Sequence, residues 1–239
     1  MPDFDLSILI AVKDRSRVMC SRKVLKLLPN CLASIVSAQE CLPQIRLEVV
    51  IADFCSTDWP LEEWVGSLQE HPVMRVYPLC RYNYPVNVIT VKEKWSLGRG
   101  RNIAADHARS DLFFFLDADM LLGAKTLETC YQLAQKGNAV FPLPTGYVNQ
   151  EHTKAFPMEF AKGNCCVSRD TWKRAGKWRE WPFWGPEDLY FYDECKKVGP
   201  VVRPNAPDLI HQWHPDSLRG EIRKPMNFVP APGEEGIAV

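Results

Sequence analysis

The chain has 239 residues, 46% of them hydrophobic and 24% charged, enough to bury one large core and too apolar for a disordered protein. Lys plus Arg and Asp plus Glu both number 29, so net charge gives no sign of a nucleic-acid partner or an anionic surface and leaves only local basic clusters to consider. No apolar run is long enough to span a membrane, and MPDFDLSILIAVKDR has no positive region before its apolar stretch, so neither a transmembrane segment nor a signal peptide is expected.

LSILIAV (6–12) is a β-rich apolar run that ends in the polar KDRS, a strand entering a loop. Leu32, Ile35, Val36 and Gln39 lie at helical spacing within 30–41, and RLEVVIADF (46–54) reads as a second buried strand. STDWPLEEWVGSL (56–68) predicts a helix, with capping residues ahead of Pro60 and Leu61, Trp64, Val65 and Leu68 on one face. VNVITV (86–91) alternates like a third strand. GRGRNIAADHA (98–108) predicts a helix that buries Ile103, Ala104, His107 and Ala108.

In SDLFFFLDADMLLG (110–123) the run Leu112 to Leu116 supplies a fourth strand, and AKTLETCYQLAQKG (124–137) a helix. That helix turns Leu127, Cys130, Tyr131 and Ala134 inward and stops at Gly137. Strands that are apolar throughout, alternating with helices, predict an α/β fold: an open, Rossmann-like, mostly parallel sheet covered on both faces. Beyond residue 142 the composition shifts to Pro, Trp and Gly, and GPEDLYFYDECKKVG (185–199) is the one clear helix, bounded by Pro186 and Gly199. A single domain is expected over 1–218, in halves 1–141 and 142–218, followed by an irregular segment over 219–239. The nine cysteines contain no C-x-x-C, which suits reduced thiols in a cytosolic protein.

Ligands of open α/β sheets bind outside the carboxyl ends of the strands. Lys13, Asp53, Asp117 and Asp119 fall at those ends. A D-x-D pair at such an end suits a divalent cation carried by a phosphorylated ligand, because hard cations take carboxylate oxygens and leave positions for phosphate and water. Extended backbone would aim Asp117 and Asp119 the same way. His211 and His214, three apart, are a second possible metal group, against the plainer reading of two surface histidines. Glu187 and Asp188 open a helix, where the macrodipole favours their ionised forms. Trp181, Phe183 and Trp184 beside them suit a sugar face or core packing. LGRGRN lacks the dinucleotide-binding spacing, so Arg99 and Arg101 are free to reach diphosphate oxygens.

The ordered set LSILIAVKDR, EVVIADFCSTD, LGRGRNIAADHARSDLFFFLDADMLL, AKGNCCVSRDTWKRAGKW, WGPEDLYFYDE and HQWHP resembles the GT-A glycosyltransferases of family 2 over residues 6–216. It is also similar to galactosyltransferase and chondroitin-polymerase catalytic domains. The resemblance implies a nucleotide-sugar donor, a UDP-sugar, and a glycan or glycoconjugate acceptor, with Mn2+ or Mg2+ as cofactor and inversion at the anomeric carbon. It assigns Ala11, Lys13, Arg15 and Asp53 to the nucleoside, Arg101 to the diphosphate or sugar, and Asp117 to ribose or sugar hydroxyls. Asp119 and His214 become metal ligands, with His211 the other choice. Asp188 becomes the catalytic base, and Gly163, Asn164, Trp184 and Glu187 line the acceptor side. DFCSTD departs from the family's Asp-Gly-Ser-x-Asp. A phosphatase using D-x-D as nucleophile would want Ser or Thr two residues past the second Asp, where Leu121 stands. A carbohydrate-binding protein that had lost the chemistry is the remaining alternative.

Overall fold

A computed structural model describes residues 2–20, 23–65, 84–182 and 185–215. Strand β1 (Leu6–Val12) leads to the paired β2 (Val18–Cys20) and β3 (Lys23–Leu25), then α1 (Leu27–Cys41), β4 (Leu47–Asp53), β5 (Val86–Thr90) and α2 (Leu97–His107). Next come β6 (Leu112–Phe115), β7 (Met120–Leu122), α3 (Ala124–Gln135), β8 (Ala139–Val140), β9 (Leu143–Tyr147) and β10 (Ala155–Pro157). The last described elements are β11 (Cys165–Ser168), α4 (Arg169–Arg174), α5 (Glu187–Val198), β12 (Val201–Val202) and β13 (Asn205–His211).

The main sheet runs β12-β8-β11-β6-β1-β4-β5. β1 pairs in parallel with β4 from Leu6↔Leu47 to Val12↔Asp53 and with β6 from Ser7↔Phe113. β11 alone runs against its neighbours, β6 and β8. All seven residues of β1 and of β4 are buried because both faces are covered. Alternation sends Ile8, Ile10, Val49 and Phe114 to the side of α1 and α3, and Leu9, Val50, Phe113 and Phe115 to the side of Ala104, Trp172 and Phe191. Each large apolar side chain removed from water in this way contributes about 1.5–3 kcal/mol.

A second sheet, β10-β9-β13-β7, is what completes the site. β13 pairs antiparallel with β7, setting His211 opposite Met120, so residues some ninety positions apart in the chain become neighbours. Gln212 fixes the segment that follows: its N–H donates to Asp119 O (2.9 Å), its amide donates to Leu27 O (2.9 Å) and its carbonyl accepts from Asn30 (2.9 Å).

Several sequence expectations are corrected. Within the described part of 56–68 the chain forms only a 3-10 turn, Leu61–Glu63, because Pro60 is extended (ψ 130°) and the Asp58 carboxylate accepts the N–H groups of Arg17 and Trp59; Leu68 lies outside the described residues. α2 buries Gly98, Gly100, Arg101, Asn102, Ala104 and Ala105; Ala108 beyond it is buried as expected and Ile103 half-buried, but His107 is not buried. A Cβ on Gly100 would stand 2.6 Å from Ala11 Cβ and 2.8 Å from Phe54, so the absence of one lets α2 lie on the sheet by its glycine side. His107 is exposed as a result. In α3, Leu127, Cys130 and Ala134 are buried, Tyr131 is half-buried, and Gly137 ends the helix at φ +85°. The half beyond residue 142 also holds α4 and short antiparallel strands whose brevity left no periodic signal. The segment 219–239 lies outside the described residues.

Candidate active site

Because β1, β4 and β6 are parallel, their carboxyl ends share one edge; β11 runs the other way, so its amino end reaches the same edge. There a cavity of about 770 Å3 opens, the size of a small-molecule site. From the nucleotide-binding assignments Ala11, Lys13, Arg15, Arg101 and Asp117 line it, together with Asp119, His211 and His214. Gly163, Asn164, Glu187 and Asp188 line it too. Asp53 does not line the cavity, and Trp184 and Phe183 lie outside the described residues.

Asp117 and Asp119 do not share one extended run. Residues 118 and 119 turn, and Met120 N–H donates to Asp117 O (3.1 Å), so the two carboxylates diverge. Asp117 Oδ1 accepts from Arg101 Nη2 at 2.6 Å, while Asn164 bridges its backbone N–H (2.8 Å) and Oδ2 (3.3 Å). Arg101 is 2% exposed and its guanidinium stacks on Trp178 at 4.1 Å. Its Nη1 is buried and has no hydrogen-bond partner among the described residues. An orphaned charged donor of this kind costs free energy until something accepts from it. Burial works against the Arg101 charge, but Asp117 and Glu187 outweigh it and hold the guanidinium protonated.

Asp119 takes the other direction. His214 Nε2 lies 3.2 Å and His211 Nε2 3.8 Å from its Oδ2, and the three groups' ligand atoms lie within 4.8 Å of one another. Burial raises the Asp119 carboxyl, yet His214, His211 and Arg15 together hold it below the ordinary range. Two imidazoles and one carboxylate, with positions left open, form a donor set that fits a divalent transition cation; the nitrogen donors suit Mn2+ better than Mg2+.

At the amino end of α5 the macrodipole does not decide the outcome. Glu187, 4% exposed, is pushed up to about 7, chiefly by burial and also by Asp188, against Arg101 and the Gly185 N–H that donates to its Oε2 (3.1 Å). Asp188 is also raised, burial again leading over Arg101. This corrects the expectation for Glu187, where desolvation outweighs a half-charge dipole. Glu187 has an ordinary value of 4.5. Between there and about 7 the folded chain keeps a proton that the unfolded chain has released, so this group's contribution to stability is full below pH 4.5 and is lost as pH rises through 7. Glu187→Gln keeps an acceptor for Gly185 and is expected to melt higher than wild type at about pH 8, by at most about 3 kcal/mol, with no gain at about pH 4. Melting curves at the two pH values check this.

Gly163 explains itself by proximity: a Cβ would stand 2.9 Å from Asp117 Oδ2 and 3.1 Å from Arg101 Nη2. Gly163→Ala is therefore expected to displace that ion pair and lower kcat/KM about tenfold, with the melting temperature close to wild type.

Asp53 Oδ1 accepts from Ser56 Oγ (2.6 Å) and N (3.1 Å), and Ser56 Oγ accepts from Asp14 N–H (2.9 Å). DFCSTD thus clamps the β1 loop, where Asp14 sits at φ 51° and its carboxylate accepts from Thr57 N–H (2.7 Å). Sequence reasoning missed Lys94, Trp95 and Met158 in the lining. Trp95 packs edge-on against Phe54 at 5.0 Å. KEKW follows a strand end, and that was its only signal.

The fold and the cavity at its strand ends are those of a GT-A glycosyltransferase. The profile of glycosyl transferase family 2 matches residues 16–188, and the chain belongs to that family. No curated protein sequence matches it. Among solved structures, S. aureus TarS 1–349 superposes with a TM-score of 0.61 at 15% identity, over 87% of this chain and 60% of that one. TarS 1–349 in complex with UDP gives 0.61 at 16% (89% and 62%), and in complex with UDP-GlcNAc 0.62 at 15% (88% and 59%). The chain therefore spans about 60% of that fragment's length. At these identities the likeness speaks for the fold. Among the described residues no helix is long and apolar enough to cross a membrane.

Proposed function

We propose that the chain moves a sugar from a nucleotide-diphosphate donor, a UDP-sugar, to a hydroxyl of a glycan or glycoconjugate acceptor, with inversion. The observation that carries this reading is that one cavity is lined by Asp119 with its histidines, by the Arg101–Asp117 pair and, from α5, by Asp188. The UDP complexes of the structural neighbour support uridine as the base.

Asp119, His214 and His211 would hold Mn2+ (or Mg2+), whose positive charge offsets that of a departing diphosphate. Arg101, pinned by Trp178 and Asp117 at the cavity wall, would present its guanidinium charge to diphosphate or sugar oxygens. Asp117 keeps Oδ2 for a ribose or sugar hydroxyl. Ala11, Lys13 and Arg15 border the nucleoside, and Asp53 shapes their loop through Ser56. Asp188, made a stronger base by burial, accepts the proton of the acceptor hydroxyl as that oxygen attacks the anomeric carbon. Gly163, Asn164 and Glu187 form the acceptor side, with Glu187 neutral below about pH 7 and able to donate. In this reading 1–218 is one catalytic unit with a donor half over 1–141 and an acceptor half over 142–218, working in the cytosol.

A panel of nucleotide sugars incubated with and without manganese tests it. Slow, manganese-dependent release of UDP from one or more UDP-sugars is expected. No hydrolysis and no thermal stabilisation by any donor would count against catalysis.

A further inference from the structure

Five large apolar side chains stand out among the described residues as exposed: Met19 (68%), Val24 (45%), Val148 (51%), Phe156 (43%) and Phe160 (89%). They are not scattered. Met19 and Val24 face each other across the β2–β3 pair, directly after the cavity-lining Lys13 to Arg15. Val148, Phe156 and Phe160 belong to the β9–β10 excursion, whose Pro144, Met158 and Ala161 also line the cavity. Both groups flank stretches that line the cavity, and exposed apolar groups placed in this way mark an interaction surface.

On the β2–β3 half of the cavity rim the charge is one-sided: the described residues of 13–26 carry Lys13, Arg15, Arg17, Lys23 and Lys26 against the single acid Asp14, in a chain of net charge zero, while the β9–β10 excursion carries Glu151 and Glu159 against Lys154. Cations flanking Met and Val on one strand pair, with two phenylalanines on the neighbouring excursion, match the interfacial layer of a bilayer. There apolar side chains enter the headgroup boundary and Lys or Arg meet anionic lipid. A glycan would call for flat rings and hydrogen-bond acceptors, which Met19 and Val24 do not offer. A second copy facing this hairpin would set like charges together.

We propose that the rim formed by β2–β3 and the β9–β10 excursion docks the protein on an anionic membrane surface, with the cavity mouth turned to it. The docking surface stands on its own observations; that it delivers a lipid-borne acceptor rests on the transfer reading above.

Co-sedimentation with vesicles of phosphatidylcholine, alone or containing phosphatidylglycerol, tests the proposal. The wild-type chain is expected to partition onto the phosphatidylglycerol vesicles and to be released by salt. Phe156→Ser with Phe160→Ser is expected to weaken partitioning about tenfold or more. Lys23→Glu is expected to weaken it about fivefold on anionic vesicles only. UDP-sugar hydrolysis without vesicles is measured for each variant and is expected to be unchanged, so a failure of docking and a failure of the catalytic reading are told apart. Wild-type protein that stays in the supernatant with both vesicles overturns the proposal, as does a double variant that binds like wild type. A mass doubling in light scattering that the double variant abolishes also overturns it, in favour of self-association.

Discussion

Asp188→Asn is expected to lower kcat about a thousandfold, the range of a general base, while the dissociation constant for the donor stays near that of wild type. The side chain keeps its size, and its oxygen still accepts from Leu189 N–H (2.8 Å). What it loses is the capacity to take a proton. Asp188 also raises its neighbour Glu187, so the substitution should bring the Glu187 carboxyl down from about 7 and sharpen its ionisation. Transfer kinetics and donor titration on the same preparation separate the effects. A donor affinity that falls as steeply as kcat would mean that Asp188 binds substrate and that the base lies elsewhere.

Asp119→Ala is expected to abolish manganese-dependent binding of UDP in calorimetry, a loss of about a hundredfold or more. The two imidazoles remain, but they lose the carboxylate that lies 3.2 and 3.8 Å from them. Metal-independent interactions through Arg101 and the β1 loop should persist as a weak residual affinity. An unchanged manganese-dependent isotherm would remove Asp119 from the metal site.

Where burial is continuous, the sequence announced the fold. LSILIAV, LEVVIAD and LFFF are strands, and their carboxyl ends are the site's edge, because runs covered on both faces have no polar interruption to misplace. The faces of α2 and the opening of α5 were legible only in part, for one reason: both hold charged residues in the interior. Arg101 is buried because Asp117 and Trp178 receive it, and Glu187 is buried at the expense of its charge. Neither partnership leaves a trace in local periodicity. The same holds for His211, brought to Asp119 by the pairing of β13 with the three-residue strand β7. Diverging Asp117 and Asp119 followed from a turn that D-A-D does not advertise.

Anomalous scattering at the manganese edge, measured on crystals grown with UDP and Mn2+, tests the metal site most directly. A peak ligated by Asp119 and at least one of His211 and His214, next to the diphosphate, is the expected result. A diphosphate bound in the cavity with no manganese beside Asp119, or manganese held by other side chains, would contradict it.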